Sequence, residues 1–133
     1  MQQATLDAID QCARSSYAGT IGFGEVVMGL MLAGVESYFA DYRTATTTYY
    51  LPSGENRSLK LAVPPVSIPD EFDAAAVQAA IRGAQAGKVK YPEFMALSMA
   101  AGCVGYIVWI SGRHVCYFGR KGQTHIEPFP SSA

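Results

Sequence analysis

His114 and Cys116 stand two residues apart in Arg113-His-Val-Cys-Tyr-Phe118, and His125 and Glu127 two apart in Gln123-Thr-His-Ile-Glu127. Alternate residues of an extended chain share a face, so each pair points one way. A two-residue loop at Lys121-Gly122 would set Phe118 opposite His125 and Cys116 opposite Glu127. Two imidazoles, a thiol and a carboxylate would then share one surface. Such a set could run a Cys–His nucleophile with Glu127 as orienter, a hydrolase acting on a small substrate. As a metal centre it would draw on His114, Cys116 and His125. Two arguments oppose both uses. Side chains two apart on a strand are separated by about 7 Å, and no zinc-type spacing of Cys and His occurs in the chain. No metal or other cofactor is therefore expected, and the bland reading is a set of satisfied or interfacial side chains.

The remaining chemistry-bearing motifs are weaker. Gly22-Phe-Gly24 and the Gly83–Gly87 stretch follow no strand and lack the Lys-Ser/Thr of a phosphate-binding loop, so they read as helix–helix turns. Glu25 and Glu93 suit the positive end of a helix dipole better than a paired-carboxylate site. Met28, Met31, Met95 and Met99 fall at core spacing on helices and read as packing. Arg113, Arg120 and Lys121 gather near Trp109, but the 133-residue chain has 10 Lys+Arg against 11 Asp+Glu, a net charge of −1. That balance gives no basic face for nucleic acid or an anionic membrane. At 50% hydrophobic residues the chain is not disordered, and at 16% charged its surface is unusually neutral, which favours self-association or a partner-binding face. Three cysteines form no CxxC and read as free thiols. With no secretory signal at Met1–Asp7 and no apolar run of membrane-spanning length, a cytoplasmic protein is expected.

The elements that must position these residues emerge when the chain is slid against itself by 68 positions. Gly19, Glu25, Met31, Gly34, Tyr38, Tyr49 and Gly54 then lie over Gly87, Glu93, Met99, Gly102, Tyr106, Tyr117 and Gly122. The coincidences fall on turn glycines and strand tyrosines, which points to an internal duplication. Each half reads as two helices followed by three strands. Asp70 after Pro69 is a candidate N-cap for the first helix of the second half, and Pro92 opens the next. Strands are expected near 35–42, 45–51 and 58–63, then at 103–110, 113–118 and 123–127. The expected fold is α+β, one domain over 1–133, made of an ααβββ unit at 1–63, a linker at 64–69 and a second unit at 70–133. Its antiparallel sheet carries the helices on one face.

Register assigns the two faces. A loop at Ser111-Gly112 pairs Tyr106 with Tyr117 and Val108 with Val115, and the same arithmetic pairs Tyr38 with Tyr49. These residues, with Ile126, are expected on the helix-packed side. The opposite side carries Phe39, Tyr50, Trp109, His114, Cys116 and Phe118, together with His125 and Glu127. An uncovered aromatic face of that size normally meets something. Phe39, Tyr50, Trp109, His114 and Phe118 are the expected contact residues, for a second copy of the chain or for an unidentified small ligand or protein.

Ala33-Gly-Val-Glu-Ser-Tyr38, Thr48-Tyr-Tyr-Leu-Pro52, Val77-Gln-Ala-Ala-Ile-Arg82, Tyr91-Pro-Glu-Phe94, Ala100-Ala-Gly-Cys-Val-Gly-Tyr106 and Tyr117-Phe-Gly-Arg120 with the following His125 are similar to the strings of a family of short bacterial and prophage proteins labelled "phage envelope protein". The resemblance covers nearly the whole chain, and Ala-Gly-Cys-Val-Gly-Tyr is its most specific part. It implies a small stand-alone bacterial protein with no established activity and carries no catalytic set. A phage structural component is the third functional reading, and it would assemble to high order.

Overall fold

Two strands 68 residues apart in sequence meet at the centre of the molecule. The computed structural model describes residues 1–130, in the order α1 (Gln3–Ala18), α2 (Phe23–Leu32), β1 (Ser37–Asp41), β2 (Thr46–Tyr50), β3 (Asn56–Lys60), α3 (Ala74–Gln85), α4 (Tyr91–Ala100), β4 (Cys103–Trp109), β5 (His114–Gly119) and β6 (Thr124–Pro128). The strands form one sheet in the order β3-β2-β1-β4-β5-β6, antiparallel throughout. This is the α+β architecture read from the sequence. The bounds of α2 and α4, and those of β3 and β6, differ by the same 68 residues. At the centre of the sheet Phe39 pairs with Ile107, the residue 68 positions further on.

Local chemistry sets the helix ends. Pro92 stands in the first turn of α4, where a missing N–H costs nothing, with Glu93 beside it. The Gly22 N–H donates to Glu25 Oε1 at 3.4 Å and closes the start of α2. The cap of α3 is Asp73, whose carboxylate accepts from the Ala76 N–H at 3.0 Å. It is not Asp70, because the chain bends at Asp70 and Glu71 and becomes helical only from Ala74. Val63 and the linker residues Val66 and Ile68 pack against the core.

The core lies between the helices and one face of the sheet. Tyr38, Tyr49, Tyr106, Tyr117, Val108 and Val115 are buried there with Ile9, Leu30, Val77, Met95 and Met99. The two cross-strand tyrosine pairs, Tyr38–Tyr49 and Tyr106–Tyr117, both have ring centroids 5.4 Å apart. The β1–β2 and β4–β5 registers are those read from the sequence. The methionine reading is corrected in part. Met95 and Met99 are buried, whereas Met28 and Met31 sit on the outer side of α2 with Leu32, in solvent.

The β5–β6 register also differs, by one residue. Gly119 and Gln123 flank a three-residue loop in which the Gly119 N–H donates to Gln123 O at 2.8 Å and the Gly122 N–H to Gly119 O at 3.1 Å. Gly122 takes φ 78°, the left-handed conformation such loops need and a residue without Cβ adopts freely. Phe118 therefore faces Thr124, Tyr117 faces His125 and Cys116 faces Ile126. A one-residue slip sends every side chain of β6 to the other face. Ile126, expected in the core, is 57% exposed on the open face.

Candidate functional site

Strand register lays the open face out as three rows running from β3 to β6. Asn56, Tyr50, Ser37, Trp109, His114 and Pro128 form the first. Ser58, Thr48, Phe39, Ile107, Cys116 and Ile126 form the second. Lys60, Thr46, Asp41, Gly105, Phe118 and Thr124 form the third. The five expected contact residues, Phe39, Tyr50, Trp109, His114 and Phe118, all lie on this face. The face is divided in a way the sequence reading did not anticipate. Its β2–β3 side is wet, with Thr48 and Ser58 hydroxyls bonded at 2.8 Å. Its β4–β6 side, extended by Phe39, is apolar and aromatic. The Phe39 and Phe118 rings lie 5.6 Å apart over Gly105, and Trp109 is 42% exposed.

The proposed quartet is split by the sheet. His114 and Cys116 stay on the open face, while His125 and Glu127 turn to the helix side, opposite Tyr117 and Val115. There Glu127 accepts from Arg82 Nη1 at 2.9 Å, and its other oxygen lies 3.5 Å from His125 Nε2. His125 Nε2 itself is buried and makes no hydrogen bond among the described residues. Neither the Cys–His–Glu hydrolase arrangement nor the His114/Cys116/His125 metal set is assembled, and among the described residues no group of three His, Cys, Asp or Glu could hold a metal ion. The remaining nucleophile is poorly activated, since burial pushes the Cys116 thiol above its usual range. Iodoacetamide alkylation of Cys116, followed by peptide mass mapping, should accordingly be slower at pH 8 than that of free cysteine and rise steeply above pH 9. Rapid modification at pH 7 would restore the nucleophile reading.

A family model described as protein of unknown function, DUF1398, matches residues 18–127. The chain belongs to that family. The DUF1398 match runs from the end of α1 through Glu127 in β6, so both faces of the sheet lie within it. The chain is also 38% identical over 58 residues to uncharacterised proteins of Mycobacterium tuberculosis (strain H37Rv) and Mycobacterium bovis, a segment that is 44% of this chain and 35% of theirs. It thus spans about a third of the length of the curated relatives it matches.

The DUF1398 fold also holds a feature that the sequence reading missed. Between helices and sheet lies a cavity of about 780 Å³, floored by Tyr38, Tyr106 and Tyr117 and walled by Tyr91 and Phe94. The repeated tyrosines were the available signal. They read as core packing because the width of the gap between two helix pairs is not encoded in hydrophobic period.

Proposed function

We propose that this DUF1398 chain is a small binding protein that pairs with a second copy of itself through the open sheet face, using Phe39, Tyr50, Trp109, His114 and Phe118. The observation behind this is the contiguous apolar side of that face, on which no helix packs. Four strands, β1 and β4–β6, about 4.8 Å apart and five residues long, give an apolar side of roughly 300 Å² in projection, the scale of one side of a weak interface. A net charge of −1 adds little long-range repulsion between copies. An isologous contact also lets the apolar side meet its own image, with Tyr50 at its rim, and keeps the Thr48 and Ser58 hydroxyls in water.

We read the two halves as copies of one unit, and the continuous sheet supports treating the chain as one domain. The thiols of Cys12, Cys103 and Cys116 are free, which supports a cytosolic setting. No helix among the described residues is long and apolar enough to cross a membrane. Sedimentation velocity across a concentration series tests the pairing. Wild-type protein is expected to form a finite dimer, and Trp109→Ala, made at a partly exposed site, to weaken it about 30-fold, the usual cost of losing an aromatic anchor. An unchanged dimer in Trp109→Ala would remove this face from the interface. Open-ended assembly would favour the phage structural reading.

A further inference from the structure

The cavity under the helices shares Ser16, Val26, Tyr38, Tyr91 and Tyr106 with a second hollow of about 530 Å³, so the two form one trough along the seam between the halves. Its larger end falls within the 300–1,000 Å³ range of small-molecule sites. Tyr38 and Tyr117 are more than nine-tenths buried. Their hydroxyls nevertheless make no hydrogen bond among the described residues, whereas Tyr106 and Tyr91 bond each other at 2.7 Å. Folded proteins seldom leave buried polar groups unpaired. The sealed unpartnered atom here is His125 Nε2, so the two tyrosine oxygens are open to the trough they line.

Charge on the lining is uneven. Glu127 is engaged by Arg82. Lys90 is paired with no carboxylate among the described residues, and its ammonium reaches only Gly19 O, at 3.5 Å. The walls offer ring faces and edges from Tyr91, Phe94 and Tyr106.

We infer that this trough is a binding site for a flat aromatic carboxylate, its rings held among Tyr91, Phe94 and Tyr106 and its oxygens accepting from the Tyr38 and Tyr117 hydroxyls near Lys90. The phenols suit that role because burial keeps both in the protonated, donating form. The site lies on the opposite side of the sheet from the proposed dimer face and stands independently of it.

The test is titration calorimetry with 2-naphthoate, using 2-ethylnaphthalene as the probe that lacks an acceptor. Saturable binding of 2-naphthoate is expected. Tyr38→Phe and Tyr117→Phe remove hydroxyls that bond nothing among the described residues, and each should weaken 2-naphthoate about tenfold, as loss of a hydrogen bond to a charged group does. Both should leave 2-ethylnaphthalene unaffected. Lys90→Met should give a smaller loss that shrinks in high salt, and Trp109→Ala no loss. Absence of saturable binding overturns the inference. So does unchanged affinity in both phenylalanine variants, or loss of binding in Trp109→Ala.

Discussion

Gly102→Ala is expected to cost roughly 3–4 kcal/mol of stability, above the usual 0.5–3 kcal/mol of single substitutions, while Gly34→Ala, 68 positions earlier in the chain, costs about 1–2 kcal/mol. Both glycines follow a helix with a left-handed φ, 103° at Gly102 and 91° at Gly34. The surroundings make the difference. A Cβ on Gly34 would meet only a Leu51 methyl, at 3.7 Å. On Gly102 it would fall on the carbonyl oxygen of Glu71 and lie 3.0 Å from Phe72 Cα. Those are backbone atoms, and the Asp73 N–H bond to Ala101 O at 2.8 Å pins them in place. Relief requires moving the start of α3, which gives up that bond and disturbs the Asp73 cap, each worth about 1 kcal/mol, on top of the left-handed strain. Urea unfolding of the two variants reads the gap directly. Equal losses would mean that the Glu71–Phe72 backbone does not cross beneath Gly102.

The second large effect is alkaline. Tyr38, Tyr42, Tyr49, Tyr106 and Tyr117 are buried, and with Tyr91 make six of the eight tyrosines. Burial raises all six phenols, Tyr91 to about 12 and the others further. The unfolded chain ionises first, near pH 10. Stability from these groups is therefore complete below pH 10 and is lost as pH rises above it. Each phenol that ionises only on unfolding costs about 1.4 kcal/mol per pH unit, so six remove about 8 kcal/mol per unit, against a typical total of 5–15 kcal/mol. Unfolding is expected between about pH 10.5 and 11.5. The phenolate absorbance of these six at 295 nm should appear together with the loss of far-UV circular dichroism, in one cooperative step. Phenolate absorbance from all six tyrosines with the dichroism intact would contradict the burial of the cluster.

The β1–β2 and β4–β5 pairings could be read from sequence because turn residues and alternating side chains agreed there. Tyr38 met Tyr49, and Tyr106 met Tyr117, in the expected register. The β5–β6 pairing failed because Lys121-Gly122 is compatible with either a two- or a three-residue loop. Loop length alone decides whether His125 and Glu127 or Ile126 faces solvent, so one residue dissolved a four-residue site. The Asp70 cap failed for a related reason. Both Asp70 and Asp73 are capping residues, and only the path of the linker under Ala101 selects the second. The trough left no periodic signature, since tyrosines lining a cavity alternate along a strand as tyrosines in a packed core do.

Trp109 is the single tryptophan in the chain, and it stands in the first row of the proposed contact, between Ser37 and His114. Acrylamide quenching of its fluorescence as protein concentration rises through the dimerisation range therefore tests that contact most directly. Burial between two copies should lower the quenching constant several-fold and move the emission to shorter wavelength, with the same midpoint as the dimer in sedimentation. A tryptophan that stays equally quenchable and unshifted while dimers accumulate would place the self-association on another surface and contradict the assignment of this face.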